Sequence, residues 1–92
     1  MPFGTATINF GATPVNYRQF TITDATMAGS TFVECFFMAS DSTADSSQGD
    51  HVKAGIHIRV PATTMTGDTF TVECYVEKDY VVGTFKLRYV GA

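Results

Sequence analysis

Strict alternation of apolar and polar side chains in the last third of the chain is the feature that most limits its fold. In residues 68–77 the apolar positions are Phe70, Val72, Cys74 and Val76. In residues 80–90 they are Phe85, Leu87 and Tyr89, with Thr84, Lys86 and Arg88 between them. A period of two is typical of a strand with one buried face. Because only a short polar link, Lys78-Asp79, separates the two runs, they predict an antiparallel hairpin that the rest of the chain covers.

The preceding sequence predicts four further strands. They are residues 5–10, 17–23, 31–39 and 52–60, and the last would place Val52, Ala54, Ile56, Ile58 and Val60 inward. Turns or loops are predicted at 11–14, 24–30, 40–50 and 63–67, and the terminal arm Met1–Gly4 is expected to lack regular structure. No helical period is present, and good helix formers are few. The sequence therefore predicts a single all-β domain over residues 1–92, an antiparallel β-sandwich or barrel-like sandwich of six to seven strands.

Composition narrows the classes of partner. The net charge is −3 and the six basic residues are scattered, whereas a nucleic-acid-binding protein concentrates Lys and Arg on one face. No apolar run is long enough to cross a membrane. The N-terminus lacks a basic region followed by an apolar stretch, so we expect no signal peptide, and either assembly in a cytoplasm or release without a Sec signal. A domain of 92 residues is marginally stable alone, so oligomerisation is expected to support it.

Candidate chemical groups do not form a recognisable catalytic or metal site. Asp41, Asp45 and Asp50 share one loop, but their spacing does not match a calcium loop, and we expect them to be solvated. On a strand, His51 and His57 would lie about 20 Å apart and could not chelate one metal. His57 is then an outward residue, while His51 is open to a capping, interface or catalytic role. No nucleophile elbow, zinc motif or phosphate loop occurs, so no catalytic, metal or cofactor residue is predicted and we expect no enzyme.

Both cysteines are predicted to face inward. Cys35 and Cys74 fall on the buried parity of central strands, where cysteine behaves as a small apolar residue. A disulfide across the sandwich remains open, although a reducing compartment favours free thiols. An inward Cys and an outward His would not form a nucleophilic pair.

The third predicted strand is apolar on both faces. One face carries Val33, Cys35, Phe37 and Ala39, and the other carries Phe32, Phe36 and Met38 around Glu34. A chain of this length cannot supply a third layer, so the second face is covered either by a neighbouring protein or by the arm Met1–Gly4. We expect the neighbour, and we predict an interface that comprises Phe32, Phe36, Met38 and Phe3. Glu34 should then lie at the rim or find a hydrogen-bond partner.

Several short stretches, in order, resemble a known group of proteins. They are Gly4-Thr-Ala-Thr-Ile-Asn-Phe-Gly11, Ser30-Thr-Phe-Val-Glu-Cys35, Ser42-Thr-Ala-Asp45 leading to Asp50-His51, Gly67-Asp-Thr-Phe-Thr-Val72 and Gly83-Thr-Phe-Lys-Leu-Arg-Tyr-Val90. This set resembles small all-β virion proteins of tailed bacteriophages, although Tyr89 stands where those proteins commonly have Trp and the loop has fewer His residues. The resemblance spans nearly the whole chain and implies no catalytic residues.

The resemblance implies a structural part of the virion, assembled in the host cytoplasm. Its leading form is a capsid decoration or cement protein that stabilises the shell through oligomeric contacts. The alternative is a small tail or fibre module that binds a host receptor or glycan through the loop 40–50 and exposed tyrosines. The implied partners are a major capsid or tail protein and further copies of the chain, with no nucleic acid and no membrane.

Overall fold

The computed structural model describes residues 2–92, except for the side chain of Thr64, and shows two packed antiparallel sheets. The strands are β1 (Phe3–Asn9), β2 (Tyr17–Thr23), β3 (Val33–Phe37), β4 (Ile58–Arg59), β5 (Ala62–Thr66), β6 (Thr69–Val76) and β7 (Thr84–Gly91). One helix, α1, spans Gln48–His57, and a 3-10 turn spans Ala25–Met27. The first sheet has the order β1-β7-β3, and the second contains β2, β6, β4 and β5. The predicted all-β sandwich of six to seven strands is confirmed.

The predicted closing hairpin is wrong in its pairing. β6 is central to the second sheet and β7 is central to the first, so the two strands pack face to face and do not share a ladder. The rings of Phe70 and Tyr89 meet at 5.0 Å across the interior. Alternation correctly identified the buried face of each strand, because Phe70, Val72, Leu87 and Tyr89 are all buried. Alternation could not specify which strands pair by hydrogen bonds. A strand with one apolar face can bury that face against a second sheet as well as within a hairpin.

The true hairpin lies between β5 and β6, where a turn alone was predicted. Thr66 pairs with Thr69, and Gly67 sits between them at φ 62°, a backbone angle that suits glycine in a two-residue hairpin loop. Pro61 lies between β4 and β5. Its carbonyl accepts from the Glu73 amide at 2.9 Å, so the two strands follow one another along the same edge of β6.

Helix α1 replaces most of the predicted strand 52–60, of which only β4 remains, and the end of the predicted loop 40–50. Ser47 and Asp50 form a capping box, in which the Ser47 side chain accepts from the Asp50 amide and the Asp50 carboxylate accepts from the Ser47 amide. The residues that it buries, His51, Ala54 and then Ile58, follow a helical spacing. Val52 and Ile56, predicted to point inward, are 48% and 66% exposed. The helix packs against β3 and β4 and so joins the two sheets along one side.

His51 ties this helix to the first sheet. Its ring is fully buried, Nε2 accepts from the Lys86 amide at 2.9 Å, and Nδ1 lies 2.8 Å from the Ser47 carbonyl oxygen. An amide can only donate, so Nε2 is the acceptor and Nδ1 carries the proton that Ser47 accepts. The β3–β7 register would place the Met38 carbonyl opposite the Lys86 amide. The imidazole takes that place, β3 ends at Phe37, and the Met38 carbonyl accepts from Asp41 instead.

A buried tyrosine closes the other end of the first sheet. The Tyr89 hydroxyl donates to the Asp24 carboxylate, and burial together with this bond raises the pKa of Tyr89 to about 12. Gly4 leaves room for the pair, because a Cβ there would lie 2.6 Å from Tyr89 Cζ and 2.8 Å from Asp24 Oδ2. Gly4 and Phe3 are therefore residues of β1, paired with Tyr89 and Val90, and not an irregular arm as predicted. Met1 lies outside the described residues.

Because the His51 ring connects α1 to β7, replacing His51 should reduce the stability of the protein far more than replacing His57, the other histidine of α1. His51→Ala removes both hydrogen bonds of the ring, leaves the Lys86 amide without its acceptor and opens a cavity beside Phe85, so we expect the free energy of unfolding to fall by about 3–5 kcal/mol. His57→Ala, at an exposed position of the same helix, should change it by less than about 0.5 kcal/mol. Urea unfolding followed by circular dichroism measures both, and equal effects would contradict a structural role for the His51 ring.

Candidate interaction surface

The side of the first sheet that points away from the second sheet, called the outer face below, collects the predicted interface residues. Antiparallel register places Phe3, Val90 and Glu34 in one row across β1, β7 and β3. The next row holds Thr5, Arg88 and Phe36. Phe32, just before β3, exchanges two backbone hydrogen bonds with Ala92, and Met38, just after β3, donates its amide to Lys86.

The aromatic side chains on this face are well exposed. Phe3, Phe32 and Phe36 are 57%, 61% and 49% exposed, and Met38 is half-buried. Residues 2–4 do not fold across β3, because they lie along the opposite edge of β7. The sequence left open that the terminal arm covers the apolar face of β3. Residues 2–4 do not cover it. The four predicted residues share one face, with Phe3 separated from the other three by the width of β7.

Val90 is the residue that the sequence analysis missed. It sits half-buried between Phe3 and Glu34, and its diagonal neighbours on β3 are Phe32 and Phe36. Val90 therefore makes the apolar surface continuous from β1 to β3. The sequence shows that Val90 lies on the same face of its strand as Lys86 and Arg88. Only the strand order shows that this is also the face that carries the phenylalanines.

Charged side chains surround the apolar patch, and only some of them form ion pairs. The Arg88 guanidinium lies 4.6 Å above the centre of the Phe3 ring, a cation–π arrangement. Lys86 Nζ reaches both Asp41 carboxylate oxygens at 3.2 Å. Glu34 is exposed on the edge strand β3, which fits the predicted rim position, and neither it nor Arg88 forms an ion pair among residues 2–92. The face thus offers an apolar centre with one cationic and one anionic group at hand for a partner.

The three loop aspartates were predicted to be solvated. The loop is instead bound to β7 by hydrogen bonds. Asp45 accepts from the amide and hydroxyl of Thr84 and from the Thr43 hydroxyl, while Thr43 also donates to the Thr84 carbonyl. Ser46 in the same loop is buried. Hydrogen bonds from Thr84 and Thr43 lower the pKa of Asp45 below its usual value. The bond from the Ser42 amide and the Lys86 ammonium lower the pKa of Asp41, and the capping box lowers that of Asp50.

Both thiols are free and lie inside the sandwich, so the pattern predicted their inward position correctly. Cys74 is fully buried, and Cys35 Sγ donates to the Val60 carbonyl at 2.8 Å. Burial raises the pKa of each thiol to about 12, so neither is an activated nucleophile. Among the described residues, no group of three or more His, Cys, Asp or Glu side chains is arranged to hold a metal ion.

A second candidate surface, a concave one, lies where α1 meets the connection from β6 to β7. This open cleft of about 380 Å³ is lined by Asp50, Lys53 and His57 of the helix and by Lys78, Asp79 and Tyr80 of the connection, among others. Tyr80 is 66% exposed. His57 thus faces a cleft and does not sit on a strand, while His51, on the same helix, is sealed inside.

Comparisons with protein-family models, with curated proteins and with solved structures found no match for the chain. Within residues 2–92 no helix has the length and apolar character needed to cross a bilayer.

The loop aspartates predict the acid limb of the stability curve. A carboxylate with a lowered pKa in the folded state stabilises that state above the usual value of 3.8, and this contribution is lost as pH falls through the folded pKa. Asp45→Asn removes the charge with little change of shape, so the variant should lose less stability than wild type below about pH 4. The control is Asp79→Asn, whose carboxylate has no hydrogen-bond donor among the described residues. Urea midpoints measured between pH 2 and 7 test this, and identical acid limbs for wild type and Asp45→Asn would contradict it.

Proposed function

We propose that the chain is a non-enzymatic structural protein of a tailed-bacteriophage virion, and that it acts as a capsid decoration or cement protein. It binds the shell through the outer face of its first sheet and stabilises the shell by adding contacts between neighbouring subunits. The partner is the major capsid protein. The protein is assembled onto the particle in the host cytoplasm.

The observation that carries the proposal is the exposure of Phe3, Phe32 and Phe36 on one face of the first sheet. Contiguous apolar patches on small soluble domains mark sites of association. Burying one such aromatic contributes about 1.5–3 kcal/mol, and two or three anchors near the centre of an interface can dominate its affinity. A repeated surface subunit gains stability from such binding by mass action, which suits a domain of 92 residues.

Two further features support a structural role over catalysis. Cys74 is buried, Cys35 donates to the Val60 carbonyl, and both ring nitrogens of the buried His51 are hydrogen-bonded. The loop acids serve the fold by accepting hydrogen bonds from Thr84, Lys86 and Ser47. The ordered set of motifs from Gly4 to Val90 resembles small virion proteins over nearly the whole chain. Together they favour a part of a particle over a soluble enzyme.

Copy number separates decoration from a tail module. Quantitative mass spectrometry of purified particles of the phage that encodes the chain should find hundreds of copies, in a fixed ratio to the major capsid protein. Tens of copies or fewer would assign the chain to the tail, and its absence from the particle would refute the proposal.

Phe36→Asp tests the face itself. A charge at this exposed position should leave the fold intact, since Phe36 is outside the core, but should weaken binding to particles that lack the protein by about tenfold to a hundredfold. Tyr75→Asp is the matched control, because Tyr75 is similarly exposed, at 46%, on the second sheet. Co-sedimentation with particles measures binding, and circular dichroism checks the fold. Wild-type binding by a folded Phe36→Asp variant would show that the outer face is not the binding surface.

The cleft beside α1 favours a second candidate, a tail or fibre module that binds a host glycan. An exposed tyrosine next to several hydrogen-bonding side chains is what a sugar ring requires, and ligand sites are typically concave with a few placed polar groups. Asp45 and Asp50 of the loop 40–50 line this cleft, although Asp45 already accepts hydrogen bonds from Thr84.

Glycan-array binding distinguishes this candidate. If it is correct, Tyr80→Ala should abolish binding to a glycan that the wild-type protein recognises, while Phe36→Asp should not affect it. Absence of binding to any glycan on the array by wild type would remove the candidate.

A further inference from the structure

The free edge of β1 is a surface that the proposed shell contact does not use. β1 pairs only with β7 among the described residues. The Pro2 carbonyl accepts from the Gly91 amide, and the Phe10 amide donates to the carbonyl of Gly83, just before β7, so the even-numbered residues of β1 direct their backbone groups toward β7. The amides and carbonyls of Phe3, Thr5, Thr7 and Asn9 therefore point away from the sheet, and all four residues are exposed.

Nothing in β1 blunts this edge. The strand Phe-Gly-Thr-Ala-Thr-Ile-Asn contains no charge and no proline, and its pairing with β7 runs without a register shift over seven residues. Soluble proteins normally protect such edges with lysine, proline, a bulge or a covering element. On the other side of the sandwich the edge is covered, because α1 packs against β3 and β4. The side that holds β1 and β2 lacks such a cover within residues 2–92.

The edge is also complementary to itself. An antiparallel pair of two β1 strands centred on Ala6 would place Phe3 opposite Asn9 and Thr5 opposite Thr7 of a second copy. All four outward residues would then meet outward residues, so every free amide and carbonyl of the strand would find a partner. The opposed Thr5 and Thr7 side chains form a favourable cross-strand pair. No such match would arise if the outward residues were of mixed parity.

β2 is the less suitable edge of the same open side. It also directs the amides of its odd-numbered residues outward, because the Asn16 carbonyl accepts from the Val76 amide and the Asp24 amide donates to the carbonyl of Asp68, just before β6. However, β2 carries the charged Arg18, whose guanidinium is held by the Phe10 carbonyl at 2.9 Å. A charge on an edge strand opposes further pairing.

We propose that two copies of this chain associate by antiparallel pairing of β1 with β1 about a twofold axis at Ala6. The first sheets then form one six-stranded sheet in the order β3-β7-β1-β1-β7-β3. This pairing leaves the outer face free and joins the two apolar patches side by side. The inference does not depend on what the outer face binds, and it stands or falls separately from the decoration role.

Proline at Thr7 tests the pairing with little cost to the fold. The Thr7 amide is not used by β7, so Thr7→Pro removes only the outward donor, whereas the dimer loses two symmetric hydrogen bonds. We expect the dimer dissociation constant to rise by about tenfold or more. Thr21→Pro is the matched control, because it removes an outward amide from β2, and it should leave the dimer unchanged. Analytical ultracentrifugation over a wide concentration range gives the constants, and circular dichroism checks the fold.

A double lysine variant covers the case in which proline disturbs β1. Thr5→Lys combined with Thr7→Lys places like charges directly opposite each other across the twofold axis while retaining both exposed backbone positions. This variant should be monomeric and folded. A wild-type protein that is monomeric at all concentrations would overturn the proposal, as would a dimer that survives both variants or is lost only in Phe36→Asp.

The register can be tested by cross-linking. Thr5→Cys and Thr7→Cys proteins, mixed and mildly oxidised at pH 8, should form a disulfide between the two different chains, because these positions oppose each other. Each variant alone should cross-link much more slowly, since its own two copies lie diagonally, about 7–8 Å apart. Burial raises the pKa of the native thiols to about 12, which keeps Cys35 and Cys74 from competing. Efficient cross-linking of either variant alone would contradict the Ala6-centred register.

Discussion

Face-to-face packing of β7 on β6 is the contact on which the rest of the fold depends. Each is the central strand of its sheet, and their inward residues, including the Phe70–Tyr89 contact at 5.0 Å, form the middle of the core. Every other strand is attached at the edge of one of these two. The outward residues of β7 consequently become the centre of the outer face. The same alternation that fills the core thus places Arg88 and Val90 among the exposed phenylalanines.

The His51 bridge determines where the first sheet ends. By accepting from the Lys86 amide, the imidazole stops β3 at Phe37 and holds α1 over one side of the sandwich. The covered side contrasts with the side where β1 and β2 remain free. The unprotected edge of β1 therefore lies on the side that this helix leaves open.

The sequence predicted buried faces well and neighbours poorly. Period two identified the inward residues of β6 and β7, because that pattern depends only on the local strand and on the presence of a core. It did not separate the two sheets, since strand order depends on contacts between residues far apart in the chain. Helix α1 was missed because Val52, Ala54, Ile56 and Ile58 alternate and the segment contains two glycines. The capping box of Ser47 and Asp50 was the available signal.

Four residues of the candidate surface were named from the sequence, but Val90 and the arrangement of the five were not. Phe32, Phe36 and Met38 share a face for reasons of parity alone, whereas the proximity of Phe3 and Val90 required the order β1-β7-β3. The most direct measurement of the central claim is a cryo-EM map of the particle that carries the chain. Such a map should show the outer face against the major capsid protein, with Phe32 and Phe36 buried in the contact. A map in which this face points to solvent, while another surface holds the shell, would contradict the account.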